Sequence, residues 1–500
     1  MTLSSRAIIA LLAVIPLLLL GGAALAYELL KRPADIHNAD VPFEAQKPPR
    51  PKAKLTNWPI FGFNRARTRY LPARGVKPPF RKLWRYTGRP LLEFPPIFVG
   101  GTLYFVDNSG FARALDADTG KVLWKRRIGR LNASSPAYAR GRLYVVNLVP
   151  GHILKLDAKT GKTIWKRELP GRAESSPLVV GRSVYFGCEC GELFSLSTVN
   201  GNVRWATSLG GEIKSAPAYQ DGTLYVGDYG GYMNAVDAKT GELVWQSDSL
   251  GQGFGTSGAF YSTPAVAFGR VYAGNNDTRV YSFDRRDGTI AWTYSTGGYA
   301  YSGPTVATTQ HSPPTVYIGS FDGNVYALDA KDGGVRWYRS TGGQVIGSLS
   351  AVGDIVYVAE FTNETTRGYM MRSGREVFRY GRGTYTPVIS DGRRLFVTGY
   401  SSITALRPYE YKAKVAERVV APKGKPRKKK GASGTSGQGR PAAEAAPAAA
   451  AARSGGCAGG GASSSKQKGS PGSSGSGKNS KRRSPGNRRA SCSAGGGRPK

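Results

Sequence analysis

From Phe80 to Leu406 the chain alternates short apolar runs with polar, Gly-rich bends. One unit reads Gly141-Arg142-Leu143-Tyr144-Val145-Val146 and then His152-Ile153-Leu154-Lys155-Leu156. Runs this short, bounded by turn formers and rich in β-branched and aromatic residues, predict strands rather than helices. A further strand opens each unit through Ser-Pro or a variant, at Ser135-Pro136, Ser176-Pro177, Ala216-Pro217, Thr263-Pro264 and Gly303-Pro304. An aromatic residue sits on the strand that ends each unit. The pattern therefore predicts four short strands per unit.

The units share the phrase Leu-Asp-Ala-x-Thr-Gly-x-x-x-Trp. Its cleanest copies hold Asp116, Gly120 and Trp124, then Asp157, Gly161 and Trp165, then Asp237, Gly241 and Trp245. Later copies hold Asp284, Gly288 and Trp292, then Asp329, Gly333 and Trp337. The spacing of roughly 40 residues is a propeller-blade period. The Asp carboxylate is placed to accept amide hydrogen bonds two or three residues on, and the Gly supplies positive φ. The Trp is placed to fill the gap between blades. The final-strand aromatics are Trp84, Trp124, Trp165, Trp205, Trp245, Trp292, Trp337 and Phe378. Trp84 lacks upstream strands, while Thr384–Ile389, Arg394–Thr398 and Ser402–Leu406 lack a closing strand. The expected fold is all-β: an eight-bladed propeller of four-stranded blades, closed by the strand around Phe80–Tyr86. Such closure removes open sheet edges. The third unit carries Ser197 in place of the turn Asp, and the unit at Met371-Arg372-Ser373-Gly374 has lost most of the signature. Gly251–Ala259 and Thr308–Pro314 read as insertions.

Over residues 55 to 408 this phrase resembles the repeat of pyrroloquinoline-quinone-type propellers. That family includes quinoprotein alcohol dehydrogenases and the propeller lipoprotein of outer-membrane assembly. Trp58-Pro59-Ile60-Phe61-Gly62 and Asn64-Arg65-Ala66-Arg67-Thr68-Arg69-Tyr70 resemble the segment that precedes its first blade. The enzymes of the family imply a quinone cofactor with calcium and an adjacent Cys-Cys disulfide. No Cys-Cys pair occurs here, and neither the calcium ligands nor the catalytic Asp transfer to any position. The nearest feature is Cys188-Glu189-Cys190, where a disulfide would close a very small, strained ring and is not expected. The imidazoles His37, His152 and His311 are scattered, so no metal site is expected. No Cys precedes Cys188, which removes lipidation at an N-terminal Cys.

The ends add a different chemistry. Ala7 to Tyr27 is uncharged and long enough to span a bilayer, while Ala24-Leu25-Ala26 also matches a signal-peptidase site. We read residues 1–28 as a signal anchor or transmembrane helix, residues 29–54 as a Pro-rich linker holding the ring off the membrane, and 55–411 as the propeller. Residues 412–500 read as a disordered, basic, low-complexity tail. The formal net charge is +37, roughly half of it in the tail. Screened attraction of that kind does not choose among polyanions. Without aromatic stacking residues in the tail, nucleic acid is not the favoured partner.

Segments leading into the inner strands should form a funnel mouth. They carry Asn132, Glu174, Lys214, Tyr261, Tyr301, Gln344 and Tyr385, a set suited to a polar or sugar-like ligand. No catalytic constellation can be defended. The reading is a monomeric, single-pass protein of the cytoplasmic membrane with its ring on the extracytoplasmic side. It would be a non-enzymatic scaffold for a protein or anionic envelope polymer, without a cofactor. The alternatives are a quinone-dependent dehydrogenase with calcium and a small-ligand sensor.

Overall fold

Each copy of the turn phrase ties one blade to the next. In a computed structural model of the protein, the Trp124 indole Nε1 donates to Ala158 O at 2.9 Å, in the turn of the following blade. Trp245 reaches Arg285 O at 3.0 Å, Trp292 reaches Ala330 O at 3.1 Å and Trp337 reaches Met371 O at 2.8 Å in the same way. The indole lies flat on the next turn's glycine. At Gly120, whose φ is +73°, an added Cβ would come within 2.5 Å of the Trp84 ring. The turn Asp does the expected local work: Asp116 Oδ1 accepts from Thr119 N at 2.8 Å and from Thr119 Oγ1 at 2.7 Å. These bonds hold the Asp116, Asp157 and Asp237 carboxyls below the usual range. Ser197 replaces part of this in the third unit by accepting from Val199 N at 3.2 Å.

The structure describes residues 32–51, 55–253, 257–386 and 388–409, all within one compact unit. The expected transmembrane helix and the basic tail lie outside the described residues, as does part of the Gly251–Ala259 insertion. The described strands form eight antiparallel blade sheets. We number the blades by chain order, blade 1 opening with Ile97–Val99 and blade 8 with Ile389–Ser390. Phe80–Thr87 pairs antiparallel with Ser402–Pro408 and completes blade 8, as the count of aromatics requires. Blade 7 gains a parallel fifth strand, Tyr70–Leu71, against Ser350–Val352. In most blades the three inner strands are largely buried, whereas outer strands such as Val122–Arg127 bury little beyond the indole. The core is thus a ring of interblade layers, each sealed by an aromatic residue.

Residues 33–44, expected within a spacer, are bound to blade 5. Thr293 N donates to Ile36 O at 3.0 Å and Asn38 N to Ala291 O at 2.7 Å, so the segment adds to the outer edge of that blade. The Arg270 guanidinium then holds Pro42 O at 2.6 Å and Val41 O at 2.5 Å. Composition signalled an extended backbone, and the chain pairs with the blade edge at His37 before turning at Ala39 and Asp40. What composition did not carry was the open strand edge that such a backbone can join.

Candidate functional site: a funnel closed by an axial plug

The segment from Thr56 to Leu71 runs across one end of the axial channel. It takes backbone hydrogen bonds from inner strands around the ring: Tyr138 N to Pro59 O, Tyr219 N to Arg65 O, Val266 N to Ala66 O, Val306 N to Thr68 O and Ala351 N to Arg69 O, all between 2.8 and 3.0 Å. Trp58 bridges Phe98 of blade 1, and Thr56 N donates to Asp391 O of blade 8 at 2.8 Å. Two guanidiniums anchor the plug from inside. Arg67 is fully buried and donates to Pro217 O at 3.0 Å, to Ser176 O at 2.9 Å and to Phe61 O. Arg69 donates to Arg67 O at 2.8 Å and to Pro304 O at 2.9 Å. Carbonyls, not carboxylates, take the hydrogen bonds of both cations, and the buried Arg69 Nε is left without an acceptor. Burial lowers both pKa values to about 9, which leaves both charged at neutral pH.

Above the plug the channel opens as a funnel. Its floor is Phe61, with Arg67 and Arg69 guanidinium carbons 5.7 and 5.2 Å from the ring centroid. The space, mouth included, is about 650 Å³ and meets Glu93, Phe94, Lys214, Tyr261, Tyr301 and Tyr385. Tyr261 and Tyr301 rings lie 5.4 Å apart, and Tyr301 meets Phe321 at 4.9 Å. Lys214 sits 4.8 Å from the Tyr229 ring and 3.4 Å from the Glu212 carboxylate.

Of the expected funnel residues, Lys214, Tyr261, Tyr301 and Tyr385 line the space. Glu174 stands beside Lys214 and Glu189 at the same mouth. Asn132 is instead a buried brace, bonded to Val146 O at 2.5 Å and Asn147 Oδ1 at 3.0 Å. Gln344 is exposed, and Ile346 of the same segment lines the wall in its place. Sequence reasoning missed Phe61, which lies on a non-repeating segment, and Glu93 and Phe94, although Glu93 stands four residues before the inner strand Ile97–Val99 as Glu174, Lys214, Tyr261 and Tyr301 stand before theirs. Asn108 Nδ2 donates to Glu93 at 3.3 Å.

Cys188 and Cys190 are joined by a disulfide, contrary to expectation, with their Cα atoms 5.0 Å apart. They lie in a hairpin turn rather than along a strand. There Gly191 N donates to Cys188 O at 3.1 Å, and the turn folds the two side chains toward each other.

Desolvation at the mouth pushes the Glu174 carboxyl up to about 7; Lys214 opposes this and Glu189 reinforces it. A carboxyl raised on folding is protonated in the native state while the unfolded chain, at about 4.3, has already ionised. The stability this contributes is present below about 4.3 and is lost as pH rises through about 7. Glu174→Gln should therefore leave the melting temperature near wild type at pH 5 and raise it relative to wild type at pH 8. A thermal melt series at both pH values measures it, and no difference at pH 8 would remove the assigned environment.

Among the described residues, no three His, Cys, Asp or Glu side chains converge to hold a metal ion. Pyrroloquinoline quinone is a flat tricarboxylate, so a pocket for it needs cations facing it. The funnel instead offers the Glu93 and Glu174 carboxyls and one ammonium, and the guanidiniums lie beneath Phe61. The residues present do not fit that cofactor.

The family described as outer membrane protein assembly factor BamB matches residues 80–216 and 207–408. The chain belongs to this family. Among solved structures it is similar to BamB from Moraxella catarrhalis, with 17% identity and a TM-score of 0.56, covering 67% of this chain and 99% of that one. It is also similar to a europium-containing methanol dehydrogenase, with 14% identity, a TM-score of 0.60 and 70% and 90% coverage. A quinohemoprotein alcohol dehydrogenase from Comamonas testosteroni follows at 13% identity and 0.57, with 70% and 80% coverage. At these identities the structural likeness establishes the propeller alone. No curated protein matches the sequence significantly.

Proposed function

We propose that this protein is a non-enzymatic binding scaffold, held at the cytoplasmic membrane by its N-terminal apolar segment with the ring on the extracytoplasmic side. The observation that carries the reading is the plug. Six inner strands, and Asp391 just beyond the inner strand of blade 8, bond to one internal segment, which leaves a shallow funnel rather than a through-channel. A closed ring of this kind is a rigid platform for partner recognition. Membership of a family described as an outer membrane assembly factor supports a protein partner. The basic tail would add weak attraction to anionic envelope polymer.

The competing reading, a quinone-dependent dehydrogenase, makes a sharp prediction. Titration of the full chain with pyrroloquinoline quinone and calcium, followed by tryptophan fluorescence, should give no saturable quenching. A reconstituted quinoprotein serves as positive control. Saturable, calcium-dependent quenching with alcohol-driven dye reduction would overturn the scaffold reading.

A further inference from the structure

Blade 5 displays how an outer strand edge of this ring takes an extended chain. His37 pairs antiparallel with Trp292, and the flanking bonds run from Thr293 N to Ile36 O and from Asn38 N to Ala291 O. The Asp35 carboxylate fixes the end of the added strand. It accepts from Ser295 N at 2.9 Å, Ser295 Oγ at 2.9 Å and Thr293 Oγ1 at 3.0 Å, and lies 3.4 Å from Arg279 Nε. An acidic extended segment is therefore already one occupant of such an edge.

Blade 1 repeats this edge in the same register but with cations. Trp124 opposes Ala114 just before a bulge, as Trp292 opposes Ser282 just before its own. Lys125 thus takes the place of Thr293, Arg127 that of Ser295 and Phe111 that of Arg279. Lys125 Nζ lies 4.2 Å and Arg127 Cζ 5.4 Å from the Phe111 centroid, which gathers both charges at the place Asp35 occupies on blade 5. Neither is paired with a carboxylate among the described residues. Val122–Arg127 is the terminal strand of its sheet, and no described segment covers it.

The surrounding charge has the same sign. The outer strands of blades 8, 1 and 2 expose Arg81, Lys82, Arg85, Lys125, Arg126, Arg127, Lys166 and Arg167 against the single carboxylate Glu168. Those of blades 4 and 5, Leu243–Asp248 and Ile290–Ser295, carry no cation. Leu123, at the position of Ala291, is 56% exposed and adds an apolar contact.

We propose that the outer edge of blade 1 is a docking edge for an extended acidic peptide of a partner protein. The peptide would add as a further antiparallel strand, with a carboxylate held between Lys125 and Arg127. Main-chain bonds would supply affinity and the two cations the preference for acid, as in strand addition generally. The idea rests on the scaffold reading but fails separately from it, because quinone titration does not report on this edge.

The test uses the full chain and a fluorescein-labelled peptide of alternating Glu and Val, with a Lys and Val counterpart. Fluorescence anisotropy should show binding of the acidic peptide only. The Lys125→Glu/Arg127→Glu double variant should weaken it on the order of tenfold. Lys125→Gln/Arg127→Gln should fall between, and Lys239→Glu on blade 4 should bind as wild type. The peptide should also slow hydrogen exchange at the Lys125 and Arg127 amides, since both would donate to the added strand. Unchanged binding in the double variant would overturn the proposal. So would weakened binding without amide slowing, if polyphosphate or anionic vesicles lose affinity equally; the edge would then be a general polyanion or lipid surface.

Discussion

Trp292→Ala is expected to lower stability by about 4 kcal/mol, the usual loss for deleting a fully buried large aromatic. The Trp292 side chain has no solvent exposure, lies on Gly333, packs 6.0 Å from the Tyr272 ring and donates to Ala330 O. Removing it leaves that carbonyl to the Tyr272 hydroxyl alone, at 3.0 Å, and opens the layer between blades 5 and 6. Trp165 and Trp205 hold the equivalent joints but are only half-buried, and their bonds are longer at 3.5 and 3.3 Å. Their Ala variants should lose about half as much, because the transfer and cavity terms both scale with what is buried. Guanidinium unfolding midpoints of the three variants check the ranking. Equal losses would mean that the joints depend on the local turn rather than on the buried ring.

The second large effect concerns the plug. Arg67→Met is expected to cost about 3 kcal/mol, because it keeps much of the volume but leaves several buried carbonyls without donors. Arg67 N also donates to Asn64 O, and its residue sits at φ 56°, a conformation that bulky side chains rarely hold without support. Arg67→Lys keeps the charge but not the planar fork that reaches Pro217 O, Phe61 O and Ser176 O together, so it should rescue only part of the loss. A variant as stable as wild type would show that the plug is held by its backbone bonds alone.

The blades were legible because each repeat residue does its work within a few positions or across one blade joint. Asp116 bonds to its own turn, and Trp124 reaches the next turn in a constant geometry, so a period in the sequence maps onto a period in space. Counting aromatics even exposed the closing strand, since Trp84 had no blade of its own. The plug has no such period. Its carbonyls meet inner strands scattered through the chain, and the resemblance of Asn64–Tyr70 to the segment before the first blade gave Arg67 and Arg69 no role. Asn132 failed as a funnel residue because it stands five residues before its inner strand, where Glu174, Lys214, Tyr261 and Tyr301 stand four before theirs, and its amide turns back to Val146 O. Residues 33–44 read as a spacer because Pro and charge report an extended backbone but not the strand edge it joins.

Amide hydrogen exchange reports whether residues 56–71 seal the ring from within. The amides of Tyr138, Tyr219, Val266, Val306 and Ala351 all donate to plug carbonyls. With the plug seated, these amides should exchange as slowly as the buried blade cores and quicken together in Arg67→Met. Fast exchange at all five in the wild-type chain would contradict it, because the plug would then not be seated and the funnel would be an open channel.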